Sequence, residues 1–245
     1  HVLECTVRDV MEQGGFHAVP RETVLRIAAR HMDEYAKNFM SAAQQTDERC
    51  DYLFRRNREE VLGIVGNVAD ELRVSRFVPC DEELAFSDNG KLPPVIVETP
   101  DGQAVLSGFV DRVDTLDTPD GGYFRVIDYK TGHKEFDYTD LLCGQGLQML
   151  LYLFALEDHG RAYLGVSAEA AGVLYFPARA AVLPVEGPVE PQEARLLRQK
   201  EARRKGLLLL DEDVLQAMDG SEESRFLPVK RGKTGALTGD LATGQ

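Results

Sequence analysis

Two short β-type segments joined by a turn constrain this chain more than any other feature. Ala104 to Leu116 alternates apolar and polar positions and contains Gly108-Phe109-Val110-Asp111-Arg112-Val113-Asp114. Tyr123 to Lys130 ends in Val126-Ile127-Asp128-Tyr129-Lys130, followed by Thr131-Gly132. Between them, Thr118-Pro119-Asp120-Gly121-Gly122 has turn chemistry, so the two segments are expected to pair antiparallel. Residues i and i+2 of a strand share a face. Asp128 and Lys130 therefore point together, Tyr129 points away, and pairing can bring Asp111 beside Asp128. Like charges at that range repel strongly unless a cation lies between them. Mg²⁺ takes oxygen ligands and keeps several waters, and Lys130 could then orient a water and stabilise charge building on a phosphate. The plain alternative is an exposed hairpin decorated with Asp and Lys, since an isolated Asp-x-Lys arises by chance in most proteins.

The surrounding elements place this hairpin in an α/β chain. Apolar positions recur at helical spacing over residues 2–13, again after Pro20 through Phe39, and from about Asp47 to Val74, so the opening third reads as helical. Phe77 to Phe86 and Val95 to Glu98 read as strands, and Thr99-Pro100-Asp101-Gly102 as a turn. With Ala104 to Leu116 and Tyr123 to Lys130 these give an antiparallel meander. Tyr138 to Glu157 reads as one strongly apolar helix, and Ala171 to Pro177 as a strand returning to the same sheet. Residues 184–192 form a proline-rich loop leading to a basic helix, and a short helix follows near Asp211 to Met218. The last fifteen residues are expected to be flexible. The economical reading is one domain over 1–245, with a helical lead-in (1–76), a sheet and helix (77–185) and a C-terminal extension (186–245).

Composition narrows the class. At 245 residues, 43% hydrophobic and 28% charged, the chain can bury one good core. It has no run near the roughly 18 apolar residues of a membrane span, so no membrane is expected and the cytoplasm is the default location. The first residue is His1 with no signal peptide before it, and the chain is expected to be a piece of a longer polypeptide. A net charge of −13 argues against a protein that coats nucleic acid generically. It leaves room for a nuclease, whose metal site needs carboxylates. The densest basic stretch, Arg195 to Lys205, reads first as a solvated helix face. The four cysteines are scattered with no Cys-x-x-Cys, so they are read as reduced thiols.

Gln148 and Tyr152 sharpen the hairpin. Four apart on the next helix, they lie on one face, an amide and a phenol on an otherwise apolar surface. Both need partners, which a phosphate, a water or the sheet carboxylates would supply, or else a pair of hydrogen bonds at the core edge.

The ordered set Gly-Phe-Val-Asp-Arg-Val-Asp, Asp-Tyr-Lys-Thr-Gly and Gln-x-x-x-Tyr resembles that of RecB-like nucleases of the PD-(D/E)xK superfamily. His1-Val2-Leu3-Glu4 looks like the end of that family's upstream histidine segment. Gly206 to Asp211, Val214 to Asp219 and Arg225 to Val229 are similar to the region after the nuclease motifs in the AddB-type subunits of bacterial ATP-dependent helicase–nucleases.

The resemblance implies a restriction-endonuclease-like core, a central mixed sheet flanked by helices. It implies His1, Asp111, Asp128 and the Tyr129 carbonyl as metal ligands, Lys130 as the catalytic lysine, and Gln148 and Tyr152 as supporting residues near the scissile strand. Arg112 and Asp114 would be structural ion-pair formers at the sheet edge, and Glu83 matches a strand glutamate of the family. The implied function is a Mg²⁺-dependent deoxyribonuclease, with Mn²⁺ able to substitute. It would cut DNA single strands fed from a duplex end, beside a helicase–nuclease partner subunit, in repair of double-strand ends in a bacterial cytoplasm. The AddB-type family carries a 4Fe–4S cluster held by cysteines whose spacing is missing here, so no cluster is expected within these 245 residues.

Other readings are a non-catalytic DNA-guiding or partner-docking module of the same fold, or a stand-alone RecB-like or CRISPR-associated nuclease. Gly232-Lys233-Thr234 lacks the upstream glycine and the strand-to-helix setting of a phosphate-binding loop. His133 reads as an exposed loop residue that could touch a DNA phosphate.

Overall fold

In a computed structural model of the chain, the described residues are 1–43, 48–100, 102–119, 121–132, 136–164, 168–179, 187, 190–221, 224–231, 237–239 and 241–242. The chain opens with helices α1 (Val2–Glu12), α2 (Arg21–Ala43) and α3 (Glu48–Leu72). Strands β1 (Val78–Phe86), β2 (Val95–Thr99), β3 (Gly102–Leu106), β4 (Gly108–Thr118) and β5 (Gly121–Lys130) follow. Next come α4 (Tyr138–Leu142), α5 (Gln148–Leu164), β6 (Ala168–Pro177) and α6 (Pro191–Glu201). The chain ends with β7 (Lys205–Leu209), α7 (Glu212–Met218), β8 (Val229–Arg231), β9 (Leu237–Gly239) and β10 (Leu241–Ala242).

These elements form two compact units. The helical unit comprises residues 1–74 and 178–201. Its apolar stripes supply Val7, Val10, Val24, Ala28, Met32, Val65, Val68 and Leu72, all buried. Asp9 on α1 accepts from Arg30 on α2 at 2.6 Å and lies 2.9 Å from His31 Nε2, so the first two helices are joined by charge as well as by packing.

The sheet unit comprises residues 75–177 and 202–245. Its main sheet has six strands in the order β1-β4-β5-β6-β7-β10. Pairing is antiparallel for β1/β4, β4/β5 and β6/β7, and parallel for β5/β6 and β7/β10. Parallel neighbours cannot be joined by a tight turn, and α4 and α5 lie in the connection between β5 and β6. Met149, Tyr152 and Leu156 of α5 pack with Leu84, Val113, Phe124, Val126 and Val173 of the sheet in one core. Each such aliphatic or aromatic side chain contributes roughly 1.5–3 kcal/mol when fully buried.

The expected α/β class with a mixed sheet, antiparallel strands and N-terminal helices holds; several boundaries do not. The segment expected as one strand from Ala104 to Leu116 is two, β3 and β4, interrupted at Ser107. β3 pairs with β2, as a separate two-stranded sheet. β4 enters the main sheet beside Phe86, and Gly108 makes that approach possible: a Cβ there would lie 2.8 Å from the Phe86 ring. The helix expected over Tyr138 to Glu157 is also broken. Gly144 and Gly146 take φ values of 74° and 68°, a left-handed backbone that glycine adopts without steric cost. That ends α4 and puts Gln148 on the first turn of α5.

The basic stretch Arg195 to Lys205 is not one solvated helix face. α6 ends at Glu201, Lys205 opens β7, and Arg204 is fully buried. The Arg204 guanidinium lies 4.1 Å from the centroid of Phe176 and 5.1 Å from that of Phe226. Nor is the whole tail unstructured, since Leu237–Gly239 pairs with β8 and Leu241–Ala242 with β7. Gly232-Lys233-Thr234 and His133 lie outside the described residues.

Candidate active site

The β4/β5 ladder runs in register from Thr118↔Gly121 to Arg112↔Ile127. One step further along both strands stand Asp111 and Asp128. There the backbone ladder gives way to a side chain: the Tyr129 N–H donates to Asp111 Oδ2 at 2.7 Å. The carboxylate thus closes the end of the strand pair and is fixed against β5 by it.

Asp128 is almost wholly buried, with 5% of its side chain exposed, and Lys130 Nζ lies 2.6 Å from its Oδ2. The same-face geometry expected for an i, i+2 pair is therefore realised. That Oδ2 nevertheless receives no aligned hydrogen bond from a described residue. On the far side of β5, the parallel register with β6 sets Tyr175 opposite Asp128.

Glu83 of β1 lies between Glu82 and Leu84, which pair with Arg112 and Val110, so it stands across from Asp111. Its φ of 52° is the sole positive value for a non-glycine residue among those described. Such backbone strain is tolerated where the surroundings over-determine it.

α5 closes the other side. The Gln148 amide donates to the Tyr152 hydroxyl, and the Tyr152 ring meets Phe86 edge-on at 5.2 Å between centroids. Burial pushes the Tyr152 phenol above its ordinary pKa; the Gln148 hydrogen bond opposes this, and the charges of Asp128 and Asp111 add to it. The Tyr175 phenol is raised likewise, by burial and then by Asp128. For Asp111, burial raises the carboxyl, the Tyr129 N–H pulls it down, Asp128 raises it, Lys130 lowers it and Glu83 raises it. Asp111, Asp128, Lys130, Gln148 and Tyr152 thus act on one small volume of the sheet unit.

Two carboxylates, Asp111 and Asp128, lie there beside one ammonium, and carboxylate oxygens suit a hard divalent cation. Among the described residues no group of three or more His, Cys, Asp or Glu side chains is placed so that it could hold a metal ion, so any cation here would rest on fewer side chains.

His1 belongs to the helical unit. It precedes α1, with Nδ1 3.9 Å from Glu4 and its ring 6.3 Å from that of Tyr35. Arg112 and Asp114 do form an ion pair, but not at a sheet edge. Both are fully buried in β4, an interior strand, and Arg125 joins them. Tyr175 was missed because its place depends on the β5/β6 register, which neither strand shows alone. Phe109, exposed beside the site, was legible within its motif but carried no signal of its own.

A family model of the PD-(D/E)XK nuclease superfamily matches residues 8–233. Three relatives are each named as the B subunit of an ATP-dependent helicase/deoxyribonuclease. That of Acetivibrio thermocellus is 34% identical over 209 residues, covering 84% of this chain and 18% of the relative. That of Moorella thermoacetica is 36% identical over 215 residues, 86% of this chain and 19% of the relative. That of Symbiobacterium thermophilum is 36% identical over 193 residues, 78% of this chain and 17% of the relative. The chain thus spans under a fifth of the length of these curated relatives, and no helix among its described residues is long and apolar enough to cross a membrane. With the family match covering most of its length, this chain belongs to the PD-(D/E)XK nuclease superfamily.

Proposed function

We propose that the chain is the nuclease module of a bacterial ATP-dependent helicase–nuclease, hydrolysing DNA phosphodiester bonds with Mg²⁺ while double-strand ends are processed for recombinational repair. The observation that carries this reading is the Lys130–Asp128 contact of 2.6 Å at a ladder end that Asp111 closes. Asp111, Asp128 and the Tyr129 carbonyl would hold the cation; Mn²⁺ has the chemistry to substitute. When bound, the cation supplies Lewis acidity toward a phosphoryl oxygen and makes water more acidic.

The chain's own residues do the rest. Lys130, one third exposed, orients the attacking water and places positive charge where negative charge develops on the phosphate. Gln148 and Tyr152 offer an amide and a hydroxyl to the DNA strand beside the reacting phosphate. The relatives' shared name supports a helicase partner and a DNA substrate, and a bacterial cytoplasm is the setting proposed with them.

The test is cleavage of an end-labelled single-stranded oligonucleotide with Mg²⁺, comparing the parent with Asp128→Ala and Lys130→Ala. Loss of a preorganised donor of this kind costs about 10²–10³ in rate, so Lys130→Ala is expected to fall at least that far while still binding DNA. Unchanged cleavage in both variants refutes the assignment. Salt-dependent DNA binding with no cleavage in the parent favours a non-catalytic guiding module instead.

A further inference from the structure

An open cleft of about 480 Å³ adjoins the carboxylate site. Phe86, Gly108 and Phe109 line one side, and Gln148, Leu151 and Tyr152 line the other. No residue lining it is charged. Phe109, two residues before Asp111, leaves 63% of its surface exposed although its neighbour Val110 is buried. The Phe109 ring thus offers an accessible aromatic face, and the floor beside it is kept clear because a side chain at Gly108 would collide with the Phe86 ring. Phe109 and Asp111 stand two apart in β4 and so share one face of the strand, which sets the cleft beside the proposed reacting centre; Gln148 and Tyr152 line its other side.

An uncharged cleft does not attract a phosphate, which would be drawn to Lys130. A nucleobase has the complementary chemistry: an apolar face for Phe109 and a polar edge for an amide and a hydroxyl. We propose that the cleft is a nucleobase subsite, in which the unpaired base next to the scissile phosphate stacks on Phe109 with its edge toward Gln148 and Tyr152. This rests on the nuclease reading of the carboxylate site and deepens it. A base inside a duplex has both faces covered by its neighbours and its edge paired, so the subsite selects single-stranded DNA. Because every base has a π-face, selection is for an unpaired strand rather than for a sequence.

The experiment uses the full chain with single-stranded oligonucleotides carrying 2-aminopurine, whose fluorescence is quenched on stacking, scanned through successive positions. Ca²⁺ replaces Mg²⁺ for the binding measurements, and Mg²⁺ is used for kinetics. Phe109 is exposed, so Phe109→Ala leaves the core intact, and Phe109→Trp restores a stacking face. The parent is expected to alter 2-aminopurine emission at one position, Phe109→Ala to abolish that signal, and Phe109→Trp to keep it. Base–aromatic stacking predicts a rise in KM of about 5- to 150-fold in Phe109→Ala with kcat little changed. An abasic nucleotide at the reporting position removes the difference between parent and variant. If Phe109→Ala reproduces the parent's emission at every position and its KM, the subsite is refuted while cleavage by the parent still upholds the nuclease reading. If the positional signal and its loss appear but the parent cuts nothing, the subsite stands and the nuclease reading falls.

Discussion

Replacing Asp114 by alanine is expected to destabilise the sheet unit more than removing any exposed carboxylate. Asp114 has no solvent exposure and neither have Arg112 and Arg125. Its Oδ1 lies 2.8 Å from Arg112 Nε, and its Oδ2 accepts from Arg112 Nη2 at 3.0 Å and from Arg125 Nε at 2.9 Å. Truncation leaves two guanidinium groups in the interior without the carboxylate that compensates them. Breaking one buried pair by deleting a partner costs roughly 3–5 kcal/mol. Two cations lose their carboxylate here, which pushes upward. Each keeps other contacts, Arg112 the Tyr129 hydroxyl at 2.7 Å and Arg125 the Phe77 ring at 5.1 Å, which pushes back. The range for a single pair is therefore the working figure. At about 2–4 °C per kcal/mol for a chain of this size, the midpoint should fall by about 6–20 °C.

Chemical denaturation with near-ultraviolet circular dichroism, which sees the tyrosines packed around the sheet, measures the effect directly. Asp70→Ala serves as the comparison. Asp70 pairs with Arg21 at 2.8 Å, with 24% of the Asp70 and 46% of the Arg21 side chain open to solvent, and a pair near the surface contributes about 0–1 kcal/mol. The combined change Arg112→Met, Asp114→Leu, Arg125→Met should regain most of the loss, because well-packed apolar replacements of buried ion clusters are often neutral or better. A loss under about 1 kcal/mol in Asp114→Ala refutes the reasoning, since the network would then behave as a solvated one.

Two further outcomes follow from the charge environment. Asp111 has its pKa raised by burial first, so its ionised form is disfavoured in the metal-free fold. Its stabilising contribution is complete below the unfolded carboxylate pKa and is lost as pH rises through the elevated folded one. With chelator at pH 7, Asp111→Asn should therefore be more stable than the parent, its amide oxygen still accepting from the Tyr129 N–H, while Mg²⁺ no longer raises its melting temperature; a less stable variant, or an undiminished Mg²⁺ effect, contradicts this. Cys80 is exposed as a residue, yet its thiol is pushed up to about 12, by burial and then by Asp114 and Asp81. A thiol held that high is scarcely ionised at neutral pH, so Cys80, although exposed, should react with iodoacetamide far more slowly than the same cysteine in the unfolded chain, when followed by peptide mass mapping.

What the sequence disclosed about this fold depended on how local the determining contacts are. The β4/β5 hairpin and its carboxylates were legible because a short turn fixes their register, and Asp128 with Lys130 because a strand has period two. The break between β3 and β4 was not legible: alternation runs through Ser107 without a flaw, and what separates the strands is the approach of Gly108 to Phe86, some twenty residues upstream. Gly144 and Gly146 were visible as glycines, but the apolar density on either side outweighed them. Arg204 shows the sharpest failure. It stands in a basic run that composition assigns to solvent, and only Phe176 and Phe226, each more than twenty residues away, put it in the interior.

The working side chains owe their placement to residues that face away from them. Tyr129 alternates with Asp128 and Lys130 and points to the opposite face, yet it is held at three places. Its N–H is bound by Asp111, its hydroxyl by Arg112, and its ring meets Phe176 edge-on at 5.1 Å. Fixing both the peptide and the ring of Tyr129 fixes the backbone that carries Asp128 before it and Lys130 after it, and aims the Tyr129 carbonyl proposed as a ligand. Arg112, in turn, is pinned by Asp114. A misplacement of about 1 Å can cost a hundred-fold in rate, so a buried ion network that contributes little net stability can still be decisive for catalysis. The alternating residues of β4 and β5 divide the labour: one face presents carboxylates and a lysine, and the other prevents them from moving.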